Sequence, residues 1–510
     1  MPMKKIFTLV FALVTMAAAH GRIYVMKVLD TRYQTITGFG AACCDGAMCP
    51  HGEDIQPIKL LYGAQSRVGL NIMRMEISPN FVGDIIVPEW GNYDTPYDWK
   101  GSLPSAQEVK RRGGIVFGSP WSPPGDFKTN GTAQGGNNAD QGNQRGQLRT
   151  DCYEKFFPWL NTFLAYMKSN GVDVDAVSIQ NEPDWWVDYS GCLYTPQQQL
   201  NLVKNYAHML DRDTYKGVRL ISAEPLGFDP SYSNALLNDP VAREQIDIIA
   251  GHLYGHPPLG NMMKSSVLAA KYGKEVWMTE HSVSDYVDGR LPNWDEQLDF
   301  AQELNECMMS GCTGYIYWYM RAHWSFVGTG ETDKYGSGNV KNKLLPRAFV
   351  MSHFSKHVTG STRLGMKGVI SEVESADVET TAYIKGDSLI VMALNKTDSD
   401  DKLRLRMANF VKSGTHILST GNEKSKLCQE QEIAFTESTN DVTVSMPPKS
   451  LNTYVFMIDH EATAITDLTQ TGDEGPKTYY DLQGRRISEP RGLCIEMDAD
   501  GFTRKIYKKN

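Results

Sequence analysis

The chain has 510 residues and a net charge of −9, from 51 Lys and Arg against 60 Asp and Glu. Apolar residues at 41% and charged residues at 22% describe a globular chain and exclude a disordered or collagen-like one. The acidic balance gives no global attraction to nucleic acid or to an anionic membrane, while ten Trp and 24 Tyr suit stacking on flat apolar ligand faces, sugars among them.

Lys4 and Lys5 precede an apolar run from Ile6 to Ala19 that closes on Ala17-Ala18-Ala19. A charged start, a short apolar stretch and small residues at its end predict an export signal over 1–19, too short to span a bilayer. The mature chain then starts near His20 and works outside the cytoplasm, secreted or at the cell surface. No Cys follows the cleavage point to carry a lipid, and no later stretch is long and apolar enough for a membrane helix. The nine Cys are scattered and odd in number, and no pair has zinc-site spacing; one or two disulfides are compatible with export.

Ile23–Leu29 and Tyr33–Ile36 alternate like strands, and 20–36 is expected to join a side domain. Eight short apolar runs ending in polar, Gly or Pro residues follow: Thr37–Ala41, Leu70–Ile77, Gly114–Ser119, Ala176–Gln180, Val218–Ala223, Ile246–His252, Glu275–Thr279 and Gly314–Trp318. Helical periodicity lies between several of them, over Tyr153–Asn170, Pro196–Leu210 and Asp295–Met309. Strand–helix alternation repeated eight times predicts an α/β fold, a (β/α)8 barrel over 37–359. The alternative, a doubly wound open sheet, lacks its Gly-rich phosphate fingerprint after the first strand. Beyond residue 360 the texture changes. Val378–Ile384, Ser388–Asn395, Leu403–Ala408, His416–Ser419, Asp441–Met446 and Asn452–Ile458 predict a fused β-sandwich side domain over 360–459. A polar stretch, 460–477, reads as a linker. The last segment, 478–510, carries Tyr480-Asp481-Leu482-Gln483-Gly484-Arg485-Arg486, a strand-like Leu493–Met497 and a basic end.

Catalytic side chains of a barrel come from the C-terminal ends of its strands. Strand four runs into Gln180-Asn181-Glu182-Pro183 and strand seven into Trp277-Met278-Thr279-Glu280, which sets two carboxylates across the mouth. Glycoside hydrolysis needs such a pair, one protonated to donate to the leaving oxygen and one ionised to attack the anomeric carbon. Arg74 at the end of strand two can hold Glu280 ionised, or serve only as a structural ion pair at the mouth. Asn181 can donate to a sugar hydroxyl beside the anomeric centre, and Tyr254 to the nucleophile. Trp121 and Trp318 can form the floor and wall of a sugar subsite, or simply barrel core; Trp185 is a further substrate-binding candidate just past the Asn-Glu-Pro stretch. No metal or cofactor is called for, and His252 and His256 stand in no metalloprotease motif.

Taken together, Ile36-Thr37-Gly38-Phe39-Gly40, Gly69-Leu70-Asn71-Ile72-Met73-Arg74, Ser119-Pro120-Trp121-Ser122-Pro123-Pro124, Gln180-Asn181-Glu182-Pro183-Asp184, His252-Leu253-Tyr254-Gly255 and Trp277-Met278-Thr279-Glu280 resemble glycoside hydrolase family 30. The resemblance covers about Gln34 to Ile458 and is strongest to the bacterial xylanase and glucuronoxylanase subfamily. It implies a retaining (β/α)8 glycosidase with a β side domain, Glu182 as acid/base and Glu280 as nucleophile. The best-known xylanases of that subfamily cut beside a glucuronic acid branch, whose carboxylate is read by a set of Tyr residues and an Arg that belongs to an Arg-Arg pair after strand eight. Here the pair is Arg321-Ala322, and the loop beyond the nucleophile reads His281-Ser282-Val283 where Tyr-Tyr-Pro is usual. The loops Glu89–Trp99 and Ser325–Asn342 look enlarged. The C-terminal segment resembles a type IX secretion sorting domain, with an extra β-hairpin of the side domain as the alternative.

These features predict a secreted endo-1,4-β-xylanase, a monomer acting on a polysaccharide, without nucleic-acid partner or membrane span and without an obligatory glucuronate branch. The alternatives are a family member acting on another β-linked glycan, such as β-1,6-glucan or galactan, and a non-catalytic carbohydrate-binding protein. The second has no need of two opposed carboxylates.

Overall fold

A computed structural model describes residues 21–44, 54–79, 99–139, 142–255, 258–283, 290–368, 377–462, 466–467, 477–481, 486–488, 490, 492–497 and 503–508. The export segment 1–19, His256 and, apart from Trp99, the aromatic loop Glu89–Trp99 lie outside the described residues.

Eight parallel strands close into a barrel: Gly38–Cys43, Ile72–Ile77, Ile115–Pro120, Ala176–Ser178, Arg219–Ile221, Ile248–His252, Glu275–Glu280 and Gly314–Tyr317. Closure is made by the first strand against the eighth, Gly38 opposite Gly314, which leaves no open sheet edge. Strands buried on both faces read as continuous apolar runs, which is why each was legible without alternation. Ile72, Phe117, Ala176, Ile221, Ile248, Ala250, Trp277 and Ile316 form a separate apolar cluster of strand residues, while the larger core unites strands with helices. The helix Tyr153–Ser169 shows how: Phe156, Phe157, Leu160, Phe163, Leu164 and Met167 recur at three- and four-residue spacing and are all buried. Thr195 and Gln198 form a capping box at the start of Pro196–Tyr206, and Asn293 and Glu296 do the same for Trp294–Met309.

The side domain takes strands from both ends of the barrel. Ile23–Thr35 pairs with Thr362–Gly368 and, in parallel, with the long strand Asp401–Ser419. The run goes on through Val378–Lys385, Ser388–Asn395 and Ser450–Ile458 and returns to that same long strand. Asp401–Ser419 pairs with Thr439–Met446 along its first half and with Ser450–Ile458 and Gln429–Ile433 along its second, with a register shift between Arg406 and Val411. The two layers expected of a sandwich are thereby joined into one hydrogen-bonded sheet that folds back on itself around a second core, which includes Val391, Leu405, Val444 and Phe456. The helix Pro346–His357 couples the two units. Every residue from Arg347 to Ser355 is buried, and His353 bonds Thr453 and Ser419 of the side domain, at 2.8 Å each.

A small five-stranded sheet lies at the C-terminus, in the order Thr466–Asp467, Thr503–Lys508, Gly492–Met497, Thr478–Tyr480, Arg486–Ile487. The stretch 460–477 is therefore not only linker: Thr466 and Asp467 pair with Ile506 and Tyr507, because a two-residue bridge carries no hydrophobic period to betray it. Among the described residues Cys43, Cys152, Cys192, Cys307, Cys312 and Cys428 carry free thiols.

Candidate active site

The ends of strands two, four, five, six and seven converge on one buried charge cluster. Arg74 is its hub. It is fully buried; Nη1 donates to Glu280 Oε2 at 2.5 Å, Nη2 to Asn181 Oδ1 at 2.7 Å, and Nε to Ser119 Oγ at 3.3 Å. The same Nη2 lies 3.2 Å from Glu224 Oε2. Burial works against the Arg74 cation, but Glu224 and Glu280 overcome it and hold the guanidinium more firmly charged than usual.

Backbone devices aim the two strand-end glutamates. Along strand seven the pairing with strand six slips: Gly251 faces Met278, yet His252 faces Glu280. The extra residue, Thr279, is a bulge that changes the side on which Glu280 falls. Glu182 adopts φ 42°, in the left-handed region a side-chain-bearing residue seldom visits. Its N–H donates to Glu224 O at 3.0 Å, and Asn181 N–H to Pro120 O at 2.8 Å, so neighbouring strands hold the turn in place.

His252 joins the carboxylates. Its ring is fully buried, with Nδ1 3.0 Å from Glu182 Oε1, and Nε2 3.6 Å from Glu224 Oε2 and 4.0 Å from Glu280 Oε2. Burial alone would discharge the imidazole, but Glu280, Glu182 and Glu224 lift it to about 9, so it is an imidazolium at neutral pH and donates to Glu182. Burial likewise opposes the charge of Glu224. Arg74, His252 and the Ser178 hydroxyl, 2.6 Å from Oε1, outweigh it and bring this carboxyl down to about 2. Burial pushes Glu280 above its ordinary value against the pull of His252 and Arg74, and Glu182 adds to the rise. Tyr254 O–H donates to Glu280 Oε1 at 3.2 Å.

One ligand atom each of Glu182, His252 and Glu280 lie within 4.8 Å of one another. Arg74 and the charged His252 already compensate these carboxylates, so the donor set suits proton transfer and nucleophilic attack better than metal ligation. Trp121 and Trp318 lie beside the cluster, their ring centroids 5.8 Å apart. The Arg74 guanidinium sits 4.6 Å from the Trp121 ring and 5.8 Å from that of Trp318. Trp185 is 50% exposed, and its backbone N–H donates to Glu182 O at 3.1 Å.

Arg74, Asn181, Glu182, Tyr254 and Glu280, named from strand ends, are thus brought together with Trp121 and Trp318. Glu224 and the role of His252 were missed. The sign of Glu224 was Ala223-Glu224-Pro225 after strand five, the same carboxylate-before-Pro pattern as Asn181-Glu182-Pro183.

Residues 92–323 match the family model described as the glycosyl hydrolase family 30 TIM-barrel domain. The glucuronoxylanase XynC of Bacillus subtilis (strain 168) is 26% identical over 393 residues, covering 77% of this chain and 82% of that one. The family 30 subfamily 8 xylanase Xyn30A from Clostridium acetobutylicum is 27% identical with a TM-score of 0.67, covering 85% of this chain and 99% of that one. The endo-1,6-β-D-glucanase neg1 of Aspergillus fumigatus is 28% identical over 203 residues, 35% of this chain and 39% of its own. Much of the barrel is thus matched by that family model, and the barrel-plus-side-domain architecture is shared with a solved family 30 xylanase.

Proposed function

We propose that the chain is an exported endo-xylanase that cleaves the β-1,4-linked backbone with retention, Glu280 as nucleophile and Glu182 as acid and then base. The observation that carries this reading is the approach of the two carboxylates, with ligand atoms inside 4.8 Å. Retaining pairs stand about 5–5.5 Å apart, whereas inverting pairs leave about 6.5–9.5 Å for a water. In the first step Glu280 bonds to the anomeric carbon as the glycosidic bond breaks and the proton of Glu182 passes to the leaving oxygen. In the second, Glu182 takes a proton from water, whose oxygen displaces Glu280. Asn181 Oδ1 is committed to Arg74, which leaves its Nδ2 for a sugar hydroxyl. Trp121 and Trp318 supply the apolar face against which a pyranose ring stacks.

The xylanase relatives at 26% and 27% identity support xylan as substrate. A glucuronate branch is not required: Arg321 is paired with Asp54 at 3.2 Å, His281 with Glu303 at 2.8 Å, and Ala322 has no charge to offer. Export rests on the signal-like 1–19, and the C-terminal segment serves as its sorting signal. Mass spectrometry of products from glucuronoxylan, arabinoxylan and unbranched xylan tests the reading. It predicts linear oligomers from unbranched xylan; products from glucuronoxylan alone, each with one branch at a fixed position, overturn the branch assignment.

A second reading, action on β-1,6-glucan, is favoured by the match to the fungal endo-1,6-β-D-glucanase. A reducing-sugar assay on both polymers separates the two.

A further inference from the structure

Away from the catalytic mouth, a cavity of about 540 Å³ lies where the barrel meets the side domain. Four cations line it: Arg67 from the loop after the first barrel helix, Lys343 from the loop after strand eight, Arg347 from the junction helix and Lys424 from the side domain. Among the described residues, no Asp or Glu lines it and none of the four forms an ion pair. His323, also in the wall, adds no charge: burial, with Lys334 nearby, brings it down to about 4.

Arg347 is the unusual member. It is 1% exposed, and Nε donates to Gln297 Oε1 at 3.1 Å while Nη1 is shared among Val283 O, Tyr317 O–H and Trp324 O. Nη2 has no hydrogen-bond partner, although a buried donor without one costs free energy. The carboxylate that acts on Arg347 at longer range, Glu296, is bidentate to Arg290 and caps the helix at Asn293. Four like charges gathered round one hollow repel each other, and an anion entering the hollow relieves that repulsion. Leu291, Pro292, Leu345 and Phe349 supply apolar walls, and a volume between roughly 300 and 1,000 Å³ is that of a small organic ligand rather than a bare ion.

We infer that this junction cavity is a second binding site that takes a carboxylate-bearing sugar, its carboxylate among Arg67, Lys343, Arg347 and Lys424 and its ring against the apolar wall. None of Arg74, Glu182, His252 or Glu280 lines the cavity, so binding here does not depend on the catalytic assignment.

The test uses the full chain, titrated by calorimetry with D-glucuronate, D-xylose and inorganic phosphate. Arg347 is too buried to be replaced safely, so the variant is Lys343→Gln with Lys424→Gln, both exposed rim residues. The expected result is saturable glucuronate binding that weakens about tenfold in the double variant, with no saturation by xylose, weaker binding of phosphate, and unchanged hydrolysis of a short xylo-oligosaccharide. Absence of glucuronate binding, or binding indifferent to the double substitution, overturns the site. Phosphate binding as tight as glucuronate overturns its assignment to a sugar. Hydrolysis that changes in step with binding overturns its independence from the catalytic mouth. Failure of the xylanase reading would show instead in the product analysis and leave this titration untouched.

Discussion

Glu182 and Glu280 have the same side chain, and their surroundings separate them. Burial pushes Glu280 above its ordinary value, and Arg74 on one oxygen and Tyr254 on the other are contacts that favour its ionised form against that push. Glu182 has one such contact, from His252 on Oε1, and its left-handed backbone is a strained conformation of the kind that clusters at functional sites. Glu280→Gln is expected to lower kcat by roughly three to five orders of magnitude on every substrate. Glu182→Gln is expected to spare the first step on aryl xylosides with good leaving groups, which depart without a proton. Equal losses for both variants on both substrate types would reverse or void the assignment. Glu224 acts through its neighbours as a positioning residue. Glu224→Gln is expected to cut kcat by about ten- to a hundredfold and to move the alkaline limb of the pH–rate profile to lower pH, because His252 loses a carboxylate that keeps it charged. A loss of rate with an unmoved profile would mark Glu224 as merely structural. The same groups set the pH dependence of stability. His252 has a folded value of about 9 against an ordinary 6.5, so its contribution is complete below about pH 6.5 and lost as pH rises through 9, on the order of 3 kcal/mol in all. Glu224 is depressed to about 2, so its contribution is complete above about pH 4.5 and lost as pH falls through 2. Urea unfolding from pH 6 to 10 should show the alkaline loss in the wild type and a flatter profile in His252→Asn.

Among the elements, the eight barrel strands were readable because they are buried on both faces, and the proposed catalytic pair because Asn181-Glu182-Pro183 and Thr279-Glu280 end two of them. Elements that failed to declare themselves lack that apolar run. Gln429–Ile433 is polar and exposed, an edge strand held by its pairing with Gly414–Leu418. Thr362–Gly368 carries Arg363, Gly365 and Lys367 and owes its form to neighbours on both sides. Asp401–Ser419 reads as two strands because the register shift near Arg406–Val411 breaks the alternation within one continuous element. Glu224 had a local sign in Ala223-Glu224-Pro225, but the convergence of five strand ends on Arg74, which gives that sign its meaning, is a tertiary fact. Local chemistry still carries quantifiable weight where it is explicit. Asn293 accepts from Glu296 N–H at 3.0 Å, and Asn293→Ala should cost about 1 kcal/mol, read as a lower urea midpoint with an unchanged slope.

At the scale of the molecule, barrel and side domain behave as one unit because the junction helix is buried on all sides, with His353 bonded across it. Calorimetry should show barrel and side domain melting together, and a chain cut after residue 359 should fail to give a stable barrel, since the cut leaves the buried His353 without its two partners. Separate transitions for barrel and side domain would contradict the coupling. The central claim is that Glu182 and Glu280 are close enough for direct attack on the anomeric carbon, and its most direct test is the stereochemistry of the first product. Proton NMR during the first minutes of xylo-oligosaccharide hydrolysis should show the β-anomer of the new reducing end appearing first, with the α-anomer growing only by mutarotation. Initial release of the α-anomer would mean inversion through an interposed water and would contradict the account.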